Sequence, residues 1–267
     1  MSDAAPAAFE VALRQTSARR GPFGSRLEYW TEIGSTNDAA ARLAERGALE
    51  GTTVVASAQT SGRGRFGRSW FSPPGAGLYV SVVCRNTKAI PYLTLAGGVA
   101  VADGIGAATG LPVEIKWPND VVVNGGLGRR RKLAGVLAEG CSNAQGVQYV
   151  VLGYGINLHP AAYPAEIADR ATSLESELGR PPDAALVLAE SLASLGEWIQ
   201  SVAATGPAAL LSRWRALAPS AHGHPVEWDG SGHVKQGRTA GLDDDGALLV
   251  TTAGQVARII SGTVRWL

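Results

Sequence analysis

Three glycines and three arginines alternate in Gly62-Arg63-Gly64-Arg65-Phe66-Gly67-Arg68, and Ser69-Trp70 follows. Glycine lacks a Cβ, so the backbone there can bend sharply and come close to a ligand. Arginine presents a rigid fork of N–H donors that matches phosphate or carboxylate oxygens. Such a loop suits a polyanion such as a nucleotide, and an exposed basic turn is the plainer alternative. The stretch also fits G-x-G-x-x-G and follows a strand-like run, Thr53 to Ala56. A dinucleotide-binding turn must open a helix and meet an acidic residue about 20 positions further on. Here Trp70-Phe71-Ser72-Pro73-Pro74-Gly75 follows, which cannot start a helix, and the next acidic residue is Asp103. The glycines therefore serve a flexible loop, expected to be mobile without ligand.

Four other stretches carry similar chemistry. Ser35, Thr36 and Asn37 are N-cap residue types at a helix start and could equally bind a small polar ligand. Lys116-Trp117-Pro118-Asn119-Asp120 reads as a turn that gathers a cation, an amide and a carboxylate. Lys132 opens an apolar strand and is followed by Ala134-Gly135, which suggests a charge held against a close-packed pocket. Gly153-Tyr154-Gly155-Ile156-Asn157 ends another strand with two glycines, a sign of close approach by a ligand. There is no G-x-S-x-G, Walker A or H-E-x-x-H sequence, and His222 and His224 have no further ligands nearby.

The elements that must position these residues follow from periodicity. Residues 1–8 are Ala/Pro-rich and expected to be disordered. Helices are expected over 9–20, 39–46, 92–109, 183–202 and 208–217, the fourth with Leu188, Leu192, Leu195, Ile199 and Val202 as a core stripe. Strands are expected over 27–31, 52–59, 77–84, 113–123 with a break at Pro118, 132–139 and 147–154. Residues 124–131 read as a Gly/Arg-rich hairpin loop, with Arg129-Arg130-Arg131 as a solvated charge run, and 163–179 as irregular. A linker at 218–224 then leads to five short strands, with turns at Asp245-Gly246 and Ala253-Gly254.

The 267 residues, 45% hydrophobic, suit one large domain, 1–220, and a small one, 221–267. A net charge of +1 argues against a dedicated nucleic-acid or polybasic membrane surface. About 25 residues precede the first strand, too few for a winged helix, so no nucleic-acid partner is expected. Cys84 and Cys141 read as buried free thiols. No secretory signal and no membrane-spanning apolar run is read, so the expected location is the cytoplasm, with no membrane partner.

Read together, GSTN, QTSGRGRFGRSWFSP, KWPND, RKLAG and GYGIN, in that order over residues 27–267, closely resemble the biotin protein ligase family. The combination of GRGRxGR, KWPND and KLAG is very specific, whereas each alone is weak. The resemblance implies an α+β fold: a mixed, largely antiparallel central sheet with flanking helices, like class II synthetases, and a small C-terminal SH3-like β-barrel. It implies that biotin and Mg²⁺–ATP give biotinyl-5′-AMP, whose biotin passes to a lysine of a biotin carboxyl carrier domain. No covalent enzyme intermediate is needed, so catalysis is positioning and charge stabilisation.

Roles are implied residue by residue. Ser35, Thr36, Asn37 and Gln59 match the biotin head-group positions. Gly62 to Arg68 match the loop over the adenylate, with Arg63 and Arg65 contacting phosphate and carboxylate. Trp70 matches the stacking aromatic. Lys116, Asn119 and Asp120 match the nucleotide side, with Asp120 a candidate metal ligand or lysine-orienting group. Arg68 joins the nucleotide set. Lys132 matches the lysine at the activated carboxylate. Gly135, Gly153 and Gly155 match pocket walls, and Asn157 a nucleotide contact. A homodimer is compatible with the family. The alternatives are a lipoate-type ligase of the same fold, which lacks the GRGRxGR loop, and a non-catalytic biotin-binding or regulatory protein. The basic 124–131 loop departs from the family pattern.

Overall fold

The structure is a computed structural model that describes residues 2–86, 88–124, 130–229, 233–252 and 254–267. Seven strands form the central sheet: β1 (Leu27–Trp30), β2 (Thr53–Ala56), β3 (Gly77–Cys84), β4 (Glu114–Lys116), β5 (Asp120–Asn124), β6 (Arg130–Asn143) and β7 (Gly146–Asn157). Their spatial order is β1-β2-β3-β7-β6-β5-β4. The β1–β2 pair is parallel and the others antiparallel, so the sheet is mixed. The strand at 77–84 thus finds its partners in β2 and, across a long connection, β7.

Both faces of the sheet are covered, which is why β3 is buried along its whole length. The helices are α1 (Ala7–Gln15), α2 (Ser17–Arg20), α3 (Thr36–Glu45), α4 (Leu93–Thr109), α5 (Leu174–Leu178), α6 (Ala184–Thr205) and α7 (Ala208–Leu217). On one face Leu78, Val80 and Val82 of β3 join Leu152 and Ile156 of β7 and the apolar sides of α4 and α6 in the main core. On the other, Val54, Val83 and Val151 pack against Ala39, Ala40 and Ala44 of α3. The side-chain period of two in strands sorts these residues.

The C-terminal strands, β8 (His222–Asp229), β9 (Val234–Leu242), β10 (Leu248–Thr252), β11 (Gln255–Ile259) and β12 (Val264–Trp266), form a second antiparallel sheet. Its order is β11-β10-β9-β8-β12, and β11 and β12 do not pair, so the expected barrel is an open sheet among the described residues. Trp117 ties it to the site region by donating Nε1–H to the Gly246 carbonyl at 3.1 Å.

Several expectations change. Residues 2–8 are tied down, not disordered: Asp3 bridges Tyr29 and accepts from Thr31 N–H at 2.7 Å, and α1 starts at Ala7. The 218–224 linker is a 3-10 turn, Pro219–Ala221, leading directly into β8, which already contains His222 and His224. Cys84 is buried but Cys141 is exposed, on the part of β6 that runs past β5 and pairs with β7 alone. Arg130 and Arg131 are not a free charge run; they pair with Glu114 at 3.1 Å and Glu177 at 2.8 Å. The rest of that basic loop, 125–129, lies outside the described residues, as does Ala253. Ile90–Thr109 does reach membrane-spanning length and composition, with mean hydropathy 1.3, but it is mostly buried in the core.

Candidate active site

A cleft of about 670 Å³ opens on the α3 side of the sheet, between the sheet, the 62–70 loop and the C-terminal sheet. Its floor follows from strand register. Gly135 lies opposite Gly155, and Gly153 lies opposite Leu137 on β6 and Ser81 on β3. All sit on the face away from the main core. Three neighbouring positions without side chains let Trp70, Lys132 and Asn37 pack directly against the sheet. A Cβ on Gly155 would meet the Trp70 indole at 2.5 Å, and one on Gly153 would overlap the Asn37 amide.

One end is neutral and fully bonded. Ser35 caps α3, accepting from Asp38 N–H at a long 3.5 Å. The helix therefore starts three residues before the expected 39, and Thr36 and Asn37 occupy its first turn. Gln59 Oε1 accepts from Thr36 N–H at 2.8 Å, with Thr36 Oγ1 at 3.1 Å, and Gln59 Nε2 donates to Ser72 Oγ at 3.2 Å. The hydroxyl of Ser81 lies 2.8 Å from Thr36 Oγ1 and 2.5 Å from Asn37 Oδ1. Ser81 was missed from sequence, although strand alternation already places it opposite Val80 and Val82.

The other end is cationic. Lys132 Nζ pairs with Asp120 Oδ1 at 2.6 Å and lies 4.9 Å from the centre of the Trp70 ring. The β4–β5 hairpin sets Lys116 opposite Asp120. Lys116 makes no ion pair among the described residues; its Nζ lies 4.9 Å from the Trp266 ring centre. Burial lowers its pKa, with the Asp120 charge opposing. Burial lowers the Arg65 pKa too, again against Asp120. Arg65 stacks on Phe66, and Arg68 donates to Thr263 Oγ1 at 3.1 Å. Buried cations without a counter-charge are unfavourable alone and favour an anionic ligand. Asp120 is the one carboxylate lining the cleft among the described residues, and these hold no cluster of three metal-ligating groups.

The structure thus gathers almost every residue singled out from sequence. Gly62 is the exception: it lies behind the loop, where a Cβ would strike the Trp70 carbonyl and Ser72. Arg63, expected on the anion, is instead held by Asp38 at 2.5 Å and Glu139 at 2.8 Å. The Asn119 and Asn157 amides donate to the Val136 and Thr172 carbonyls, at 2.6 and 2.8 Å. The loop contains only a short 3-10 turn at Arg65–Gly67, in keeping with the absence of a dinucleotide-binding helix. Tyr163, Ile167, Arg170, Thr263 and Arg265 also line the cleft; nothing local in the sequence marks them. A second cleft of about 350 Å³ lies beside α6, but Arg19 there is paired with Glu190 and Glu197, and Asp103 with Arg213.

A pocket of uncharged polar groups joined to a cationic trough on a mixed sheet suits a ligand with a polar head and an anionic end. Residues 31–157 match the Biotin/lipoate A/B protein ligase family. A bifunctional ligase/repressor BirA from Bacillus spizizenii is 36% identical over 248 residues, 90% of this chain and 74% of that protein. A biotin–[acetyl-CoA-carboxylase] ligase from Mycobacterium tuberculosis is 33% identical over 96% of this chain and 94% of its own. The structure of a biotin protein ligase from Aquifex aeolicus in complex with biotin and ATP is similar with a TM-score of 0.79 and 30% identity. It covers 91% of this chain and 100% of that one. The chain belongs to the Biotin/lipoate A/B protein ligase family, among the biotin protein ligases.

Proposed function

We propose that the cleft activates biotin with ATP and delivers it to a lysine of a biotin carboxyl carrier domain. A biotin carboxylate oxygen attacks the α-phosphorus, forming biotinyl-5′-AMP as pyrophosphate leaves. The acceptor ε-amine, as free base, then attacks the acyl carbon, AMP leaves with the electron pair of the broken acyl C–O bond, and the nitrogen loses its extra proton to solvent. The observation that carries this reading is that five motifs far apart in sequence line one cleft, neutral at one end and cationic at the other.

Ser35, Thr36, Asn37 and Gln59 suit the uncharged biotin head group, because their donors and acceptors are preset. Gly135 and Gly155 let the Trp70 indole, and Gly153 the Asn37 amide, pack directly on the sheet, where they would wall the biotin pocket. Lys132 meets the carboxylate, and Arg65, Arg68 and Lys116 meet the phosphates, where negative charge moves during the displacement. The residues fit Mg²⁺ only as an ion carried by the nucleotide. Asp120 would supply one oxygen, an arrangement common for this ion, and Mg²⁺ would neutralise phosphate charge. The lipoate-type and non-catalytic readings are not favoured, given relatives that are named biotin ligases over nearly their whole length. ATP dependence and a carboxylase acceptor suit the cytoplasm. The test is biotin-dependent ATP–pyrophosphate exchange together with transfer of labelled biotin to an isolated carrier domain; absence of both would refute the reading.

A further inference from the structure

We propose that Glu139, assisted by Asp38, is a positioning residue that pins the 62–70 loop over the cleft through Arg63. The inference rests on the cleft being where biotinyl-AMP is made, and it separates Arg63 from Arg65 in role.

The geometry forms a chain of contacts. Glu139 stands on β6, on the same face as Gly135 and outside the cleft lining. Its Oε2 accepts from Arg63 at 2.8 Å and from the Asn37 amide at 2.6 Å. The other side of the Arg63 guanidinium donates to Asp38 at 2.5 Å. Burial pulls the Arg63 pKa down, but the bonds to Glu139 and Asp38 outweigh it and leave the pKa raised. Arg63 is therefore neutralised by the wall. Arg65 has no carboxylate within ion-pair distance among the described residues and remains available to an anion.

Pinning one residue fixes the whole loop, because the loop is a small hairpin. Arg63 bridges Ser69, Gly64 N–H donates to the Arg68 carbonyl at 2.7 Å, and Trp70 N–H donates to the Gly62 carbonyl at 2.9 Å. Holding Arg63 thus holds Trp70 on the glycine floor, above Lys132. The shared Glu139 oxygen also joins this pin to Asn37 at the biotin end. An occupied pocket that orders Asn37 orders the loop through the same atom.

All three charged side chains are about two-fifths exposed, so each ion pair is modest. Removing both carboxylate charges should speed escape of preformed biotinyl-AMP by about twofold to thirtyfold. The variants are Asp38→Asn/Glu139→Gln, Arg63→Ala and the combination of all three. Three readouts apply: adenylate dissociation, maximal biotin-dependent pyrophosphate exchange, and amide hydrogen exchange over 62–70 in the ligand-free protein. The pin predicts faster dissociation and faster amide exchange in the double variant, with maximal pyrophosphate exchange within about twofold of wild type. It also predicts no further effect of the carboxylate changes once Arg63 is alanine, since interacting groups are non-additive. Unchanged dissociation and loop protection, or full additivity with Arg63→Ala, would overturn it. Should the double variant not fold, Asp38→Asn alone carries the same expectations at smaller size. A wild-type protein without biotin-dependent exchange would refute the proposed function, and loop protection in the ligand-free variants would still decide whether the pin exists.

Discussion

The two ends of the cleft are built on opposite principles. At the Asn37 end Thr36, Gln59, Ser72, Ser81 and Asn37 form one chain of hydrogen bonds. At the Lys116 end the cations are left short of counter-charge, and burial depresses the pKa of Lys116 and Arg65. A satisfied network is rigid and selects by shape and donor pattern. An unsatisfied cationic trough stores unfavourable electrostatics that an arriving polyphosphate relieves. Under the proposed function, the uncharged end would read the head group and the cationic end the nucleotide. The proposed function puts the reacting carboxylate where they meet, at Lys132.

Changes at that junction should break the contrast most severely. Lys132→Ala removes the cation proposed to meet the carboxylate and leaves Asp120 without its 2.6 Å partner. Biotin-dependent pyrophosphate exchange should fall by about a hundredfold or more, with thermal unfolding little changed. Near wild-type exchange would remove Lys132 from the chemistry. Arg65→Ala should still form biotinyl-AMP but release it about tenfold to a hundredfold faster, the worth of one charge-assisted contact. Bystander lysines on serum albumin should then become biotinylated alongside the true acceptor. Unchanged selectivity would leave the loop as an ordinary basic turn.

The neutral end should respond more mildly and in a different parameter. A methyl group at Gly153 would displace the Asn37 amide. Gly153→Ala should raise the biotin KM about tenfold, in line with the usual cost of overpacking, while the ATP KM holds. The smallest effect is a proton. Lys116 has a folded pKa below the ordinary 10.5, so between the two values the folded chain binds fewer protons than the unfolded one. Stability of the free protein should rise with pH across that window and be insensitive to Lys116 below it. A phosphate beside Nζ raises the pKa again, so nucleotide binding should take up a fraction of a proton within the same window. Binding enthalpies measured in buffers of different ionisation enthalpy would show this, and Lys116→Met should abolish it.

The cationic end was more legible in sequence than the neutral one. Lys116, Asp120 and Lys132 sit on strands whose alternation fixes their direction, and Gly135, Gly153 and Gly155 mark a close approach to the sheet. Asn37 was ambiguous because capping residues and ligand-binding residues are the same types, and here Ser35 caps while Thr36 and Asn37 face the cleft. The partners of Arg63 lie 25 and 76 residues away, on α3 and β6, and no local pattern couples them to the loop. Alternation identified the C-terminal strands, but whether their sheet closes depends on the pairing of β11 with β12, which strand periodicity does not encode. Cys141 reads as core by composition, yet it lies where the β6–β7 hairpin extends beyond the sheet.

The most direct test of the divided cleft is a pair of steady-state measurements on Asn37→Ala and Lys116→Ala, each giving KM for biotin and for ATP. The division predicts a reciprocal pattern: Asn37→Ala raises the biotin KM about tenfold with the ATP KM within about twofold, and Lys116→Ala does the reverse. Both constants moving together in both variants, or the two effects exchanged, would contradict it.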